Sequence, residues 1–174
     1  MEEVIKKAAK IRLLICDVDG VLTDGSLFFG DDGQEYKAFN SRDGHGMKML
    51  QEAGVDIAII TGRTSNVVSL RMKNLGIKHL YQGQHDKRLA FNELLKEFKL
   101  SAEEVAYMGD DVVDLPVMTK VGLAITVADG HELVQQHSHW CTQNKGGKGA
   151  AREVCELLMK AQNKYEEMMQ TYFD

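Results

Sequence analysis

Short apolar runs alternate along the chain with segments of helical spacing, and most of the runs stop at polar residues. Residues 11–16 form the first run, which breaks off into Asp17-Val18-Asp19-Gly20. An apolar run of this length suits a central strand covered on both faces of a parallel sheet. Residues 55–60 form a second run ending at Thr61-Gly62-Arg63, and residues 77–81 a shorter third. Residues 105–108 lead into Gly109-Asp110-Asp111-Val112-Val113-Asp114, and residues 122–127 and the Trp140-Cys141 pair supply two more. Between the runs, Met47, Leu50 and Ala53 share one helix face closed by Gly54, and a helix over 65–75 closes at Gly76. Asp86 opens another, carrying Leu89, Leu94, Leu95 and Phe98. Ser101 and Glu104 have capping-box spacing, and helices are also expected over 115–120 and 131–136. Val154, Leu157, Leu158, Ala161, Tyr165, Met168 and Met169 mark one side of a long C-terminal helix.

Strands alternating with helices predict an α/β fold, a Rossmann-like doubly wound sheet that is mainly parallel with right-handed crossovers. One segment departs from the alternation. Two short runs flank Gly30-Asp31-Asp32-Gly33, which predicts a projecting β-hairpin over about 26–39. Its aromatic residues either pack against their own domain or meet a second copy of the chain. A flexible basic loop, Asn144-Lys145-Gly146-Gly147-Lys148-Gly149, opens the C-terminal tail of about 144–174.

The 174 residues fit one domain spanning 1–174, and 44% hydrophobic content supplies a real core. A formal net charge of -5 argues against a nucleic acid or an anionic membrane as partner, so any phosphate site must concentrate cations locally. Three cysteines without a Cys-x-x-Cys pair favour reduced thiols. With no signal-peptide pattern and no segment of membrane-spanning length, the expected location is the cytoplasm.

The polar residues at the run ends carry the candidate chemistry. In open α/β sheets ligands sit beyond the carboxyl ends of the strands, so Asp17, Asp19, Thr61, Asp110, Asp111 and Asp114 should share one crevice. Carboxylates gathered there repel one another unless a cation neutralises them, and an oxygen-only donor set favours Mg²⁺ over zinc. Lys87 supplies the cationic counterpart, and Thr61 offers a hydroxyl. A phosphoryl group between Mg²⁺, Lys87 and Thr61 would have its spreading charge stabilised. Asp17, held at a strand end, is the candidate nucleophile forming an aspartyl-phosphate, and Asp19 the candidate acid and base. Gly146-Gly147-Lys148-Gly149 lacks the Ser or Thr of a P-loop. His137 and His139 lack a third metal ligand nearby.

Asp17-Val18-Asp19-Gly20, Thr61, Lys87 and Gly109-Asp110-Asp111-Val112-Val113-Asp114 together resemble the four motifs of the haloacid dehalogenase-like phosphohydrolases. That resemblance implies Asp17 as nucleophile and Asp19 as acid/base. It also implies Mg²⁺ held by the side chains of Asp17 and Asp110 and the backbone carbonyl of Asp19, with Asp111 and Asp114 in support. Too little sequence separates Thr23 from Thr61, or Thr61 from Gly109, for a cap domain, so the capless subclass is expected.

A narrower resemblance, to the 3-deoxy-D-manno-octulosonate 8-phosphate phosphatases, rests on residues 18–25, 37–44, 80–83 and 146–153. It implies substrate contacts from Asp19, Asn40, Ser41, Arg42, Asp43, Gly44, Lys48, Arg63, Arg71 and Lys87, with Lys48 standing where an arginine is expected. It further implies a homotetramer in which hairpins meet and a neighbour's C-terminal segment helps close the site. The product would feed lipopolysaccharide synthesis. Three alternatives stay open: a phosphatase for a related nonulosonate 9-phosphate, a phosphoryl-transferring mutase, and a non-catalytic oligomerising module.

Overall fold

A computed structural model describes residues 1–173. The strands are β1 (Leu13–Cys16), β2 (Phe28–Phe29), β3 (Glu35–Tyr36), β4 (Asp56–Ile60), β5 (His79–Tyr81), β6 (Val105–Gly109), β7 (Leu123–Thr126) and β8 (Trp140–Cys141). The α-helices are α1 (Glu2–Ala8), α2 (Ser41–Glu52), α3 (Asn66–Leu75), α4 (Lys87–Phe98), α5 (Leu115–Met118), α6 (Glu132–Gln136), α7 (Ala150–Ala161) and α8 (Tyr165–Gln170). Six strands form a parallel sheet in the order β5-β4-β1-β6-β7-β8, while β2 and β3 pair separately as an antiparallel hairpin. This is the doubly wound fold expected from the alternating pattern.

β1 lies between β4 and β6, which explains why all four of its residues are apolar and buried. Alternation of side chains divides the core into two faces. Leu13 and Ile15 pack with Ala90, Phe91 and Leu94 of α4 and Val117 of α5. Leu14 and Cys16 pack on the opposite face with Leu50 of α2, Met72 of α3, and Val154 and Leu158 of α7. Asp17 continues the row of Leu13 and Ile15 and so emerges on the α4 side.

The structure departs from the expected pattern in several places. α1 was not legible, because only Val4 and Ala8 of its seven residues are buried. α2 begins at Ser41, earlier than Met47, Leu50 and Ala53 suggest, because the Asn40 side chain caps the amides of Arg42 and Asp43. Leu89 is exposed, and Ala90, Phe91 and Leu94 form the buried stripe of α4. The expected long C-terminal helix is two helices broken at residues 162–164, with Asn163 in the left-handed region. Gln162 and Lys164 there turn to backbone carbonyls of Ile11 and Ala53. The hairpin is short, two residues per strand, and leaves Phe28, Phe29 and Tyr36 exposed. No helix among the described residues is long and apolar enough to cross a membrane.

Candidate active site

Asp17, Thr61 and Asp110 each occupy the first position beyond a strand, after Cys16 of β1, Ile60 of β4 and Gly109 of β6. The sheet ladder reaches the first two: the Asp17 amide donates to the Met108 carbonyl and the Thr61 amide to that of Tyr81. The backbones of Asp17 and Thr61 are therefore tied into the sheet. Together with Asp19, Arg63, Lys87 and Asp111, all three line a crevice of about 280 Å³.

Lys87, the first residue of α4, is buried. Its ammonium lies 2.5 Å from Asp17 Oδ2 and 2.7 Å from Asp114 Oδ1. Burial alone would lower the lysine, but the two carboxylates outweigh it and raise its affinity for the proton. Asp114 is fully buried and saturated. Its Oδ1 also accepts from the Tyr107 hydroxyl at 2.7 Å, and its Oδ2 accepts from the amides of Asp110 and Asp111. Asp114 is thus committed to holding the turn after β6.

Asp17 and Asp110 are left with capacity for a ligand. Asp17 accepts from the Val18 amide and from Lys87, and no described residue donates to the Asp110 carboxylate. Burial, reinforced by the Asp114 carboxylate, pushes the Asp17 carboxyl up to about 6 against the pull of Lys87. Burial likewise pushes Asp110 to about 8, with Asp114, Asp17 and Asp111 adding like charge. Oxygens of Asp17, Asp110 and Asp114 lie within 4.8 Å of one another. Converging hard oxygen donors, whose burial and mutual repulsion oppose ionisation, fit a hard divalent ion. Gly20 turns the chain there at φ +85, where a Cβ would stand 2.0 Å from Asp110 Oδ2. Only glycine gives that approach.

Asp19 faces the opposite side of the crevice. It pairs with the ammonium of Lys37, whose side chain is fully buried, and lies 4.0 Å from Arg63 Nε. Glu35 joins both cations, at 3.3 Å from Lys37 and 3.0 Å from Arg63. The hairpin therefore packs onto its own active site, with Phe29 stacked under the Arg63 guanidinium. Reasoning from sequence missed Lys37, Glu35 and Tyr107 as site residues. Period-two alternation does place Tyr107, two residues before Gly109, on the Asp17 side of β6; Lys37 and Glu35 carry no comparable local signal.

The expected substrate contacts do not all meet. Asp19, Arg63 and Lys87 line the crevice. Asn40, Ser41 and Arg42 line a separate cavity of about 540 Å³ with Lys148 and Arg152. The Arg71 guanidinium donates to the Asn40 carbonyl and lies over Phe39, and Gly44 packs so closely on it that a Cβ would fall 2.1 Å from Nη2. Asp43 is buried, its carboxylate accepting from the amides of Gly149 and Arg152. Lys48 is exposed on α2. The 144–149 loop, expected to be flexible, is hydrogen-bonded along its length.

Residues 79–154 match the family model for haloacid dehalogenase-like hydrolase. The 3-deoxy-D-manno-octulosonate 8-phosphate phosphatase KdsC of Yersinia pestis is 53% identical over 165 residues, covering 95% of this chain and 88% of that protein. The crystal structure of the Moraxella catarrhalis 3-deoxy-D-manno-octulosonate 8-phosphate phosphatase, in complex with magnesium ion, phosphate ion and KDO, superposes with a TM-score of 0.97 at 43% identity, covering 99% of both chains. The cobalt-bound Haemophilus influenzae deoxy-D-mannose-octulosonate 8-phosphate phosphatase gives a TM-score of 0.92 at 38% identity, covering 97% of this chain and 99% of that one. The chain belongs to the haloacid dehalogenase-like hydrolases, in the family of the 3-deoxy-D-manno-octulosonate 8-phosphate phosphatases.

Proposed function

We propose that this chain is an Mg²⁺-dependent phosphatase that hydrolyses 3-deoxy-D-manno-octulosonate 8-phosphate to the free sugar acid and inorganic phosphate. The observation that carries the proposal is the Asp17-Lys87-Asp114 cluster beside Asp110 at the strand ends, in a chain 53% identical to a phosphatase of that substrate. Mg²⁺, held by the Asp17 and Asp110 side chains and the Asp19 carbonyl, would neutralise phosphoryl oxygens and the crowded carboxylates. Asp17, already pinned by the sheet, attacks phosphorus; the bond from phosphorus to the sugar oxygen breaks as Asp19 gives that oxygen a proton. Asp19 then takes a proton from water, which attacks the aspartyl-phosphate, releasing phosphate and restoring Asp17. Lys87 and Thr61 hold the phosphoryl oxygens, and Lys37 and Arg63 orient Asp19.

Asn40, Ser41, Arg42, Lys48 and Arg71 are assigned to the sugar acid end. Their separation from the crevice supports a homotetramer in which a neighbouring copy brings such residues, and a C-terminal segment, to the mouth of each site. The exposed aromatic hairpin supports the same assembly. The reaction belongs in the cytoplasm, supplying the sugar of lipopolysaccharide precursors.

Asp17→Asn should abolish phosphate release while the fold is retained; near-normal turnover in that variant would rule out the aspartyl-phosphate route. Turnover of the octulosonate 8-phosphate should exceed that of a nonulosonate 9-phosphate, and the reverse preference would overturn the substrate assignment.

A further inference from the structure

The glycine-rich loop before α7 lies directly behind the catalytic turn. A Cβ at Gly146 would fall 1.8 Å from the Gly20 carbonyl oxygen, and one at Gly147 would fall 2.5 Å from the Thr23 carbonyl carbon. The Gly147 amide donates to the Val21 carbonyl at 2.9 Å. Gly20 in turn is the residue that abuts Asp110, and the Gly20 amide reaches the Thr23 hydroxyl, as does that of Gly25. The loop therefore abuts the Gly20–Thr23 backbone, which follows Asp19 directly and approaches Asp110 at Gly20.

Three carboxylates hold the loop in place through its amides. Asp129 accepts from Gly146, Glu153 accepts from Gln143 and Asn144, and Asp43 accepts from Gly149 at 3.3 Å and Arg152 at 2.9 Å. Asp43 differs from the other two because it reaches from another helix, the first turn of α2, and is only 2% exposed. Its neighbour Asn40 donates to the Gly147 carbonyl at 3.3 Å. A buried carboxylate bonding two amides at the start of α7 also complements that helix's dipole.

We propose that Asp43 is a positioning residue: it draws the start of α7 onto α2, seats Gly146 and Gly147 against the Gly20–Thr23 turn, and so fixes the geometry of the catalytic aspartates. This role replaces a direct contact between Asp43 and substrate. The proposal rests on the phosphatase reading above, and it makes the C-terminal loop part of the catalytic framework within one chain.

The test compares wild type with Asp43→Asn, which keeps one acceptor but turns a donor toward the Gly149 amide. Gly147→Ala presses on Thr23 from the far end of the loop and provides a second variant should the first fold poorly. Steady-state kinetics are measured on the octulosonate phosphate and on p-nitrophenyl phosphate, which has no sugar to contact. Mg²⁺ affinity is measured separately by calorimetry, and folding by thermal melts. Misplacing reacting groups by about 1 Å costs up to ~100-fold in rate, and disturbing the support of a metal site costs about 10–100-fold in affinity. Both variants should thus lose kcat by about tenfold or more on both esters, with KM for the sugar phosphate unchanged and Mg²⁺ binding about tenfold weaker. A rise in KM confined to the sugar phosphate would make Asp43 a substrate contact and overturn the proposal. A lowered melting temperature with intact kcat and Mg²⁺ affinity would overturn it too. Wild-type protein inactive on both esters would defeat the phosphatase reading, while the calorimetry still decides the positioning role: weaker Mg²⁺ binding in the variants supports it and unchanged binding refutes it.

Discussion

Replacing Lys87 with methionine probes the charge balance of the site most directly. Methionine fills much of the same space but removes the ammonium that lies 2.5 Å from Asp17 and 2.7 Å from Asp114, at a position 2% exposed. Breaking a buried ion pair by removing one partner costs about 3–5 kcal/mol. In a chain of this length ~1 kcal/mol moves Tm by about 2–4 °C, so Lys87→Met should melt roughly 6–20 °C lower. The loss has a definite pH dependence. Burial and Asp114 already raise Asp17 to about 6 with Lys87 opposing them, and without the ammonium its carboxyl must rise further. A carboxyl raised in the folded state binds more protons there than in the unfolded chain, so stability falls as pH rises through the raised value and recovers below it. The deficit should therefore be largest at about pH 8 and shrink toward about pH 5. Differential scanning calorimetry of both proteins in chelator, repeated with Mg²⁺, measures this directly, and Mg²⁺ should restore part of the loss. A deficit that stays constant with pH, or a melting temperature within about 2 °C of wild type, would refute this account of the Asp17-Lys87-Asp114 cluster.

Two further outcomes are expected. Burial and three neighbouring carboxylates raise Asp110 to about 8, so the metal-free protein carries a proton there at neutral pH. Mg²⁺ binding at about pH 7 should then release close to one proton, seen by calorimetry in buffers of different ionisation enthalpy; no buffer dependence would contradict it. Gly20→Ala places a Cβ 2.0 Å from Asp110 Oδ2 in a left-handed backbone, so Mg²⁺ affinity should fall by about tenfold or more, and unchanged affinity would separate Asp110 from the metal.

The catalytic end of the fold was legible because two kinds of signal coincide there. Each apolar run that becomes a central strand stops at a polar residue, and the parallel sheet brings Asp17, Thr61 and Asp110 to one level without further information. The site's supporting contacts had no such local mark. Lys37 meets Asp19 across a hairpin whose aromatic residues dominate its pattern, and Asp43 bonds amides more than a hundred residues away. Read locally, Asn40 to Gly44 lead up to a helix face at Met47, Leu50 and Ala53, and residues 144–149 are a loose loop. Only the packing of α2 against α7 turns them into one braced unit. The break in the C-terminal helix was hidden for the same reason. The apolar stripe does continue through Tyr165, Met168 and Met169, which still pack on the core, while Gln162 and Lys164 leave the helix to bond distant carbonyls.

The three acids of the metal cluster owe their different roles to their partners. Asp114 spends both oxygens on Lys87, Tyr107 and two amides, which commits it to holding the turn after β6. Asp17 shares Lys87 and is pushed up to about 6, whereas the Asp110 carboxylate, with no donor among the described residues, is pushed up to about 8. The proposed nucleophile, Asp17, thus sits where burial works against its ionised form and added positive charge would favour it. On the proposed mechanism, a divalent ion held by Asp17 and Asp110 would favour the ionised form of Asp17 and draw the phosphoryl group toward it. Lys87 alone is insufficient, because its charge is divided between Asp17 and the permanently committed Asp114. That division suits the proposed phosphate-ester site: a divalent ion would neutralise the acids nearest the reacting atoms, while Asp114 lies fully buried behind them and bonded to Lys87.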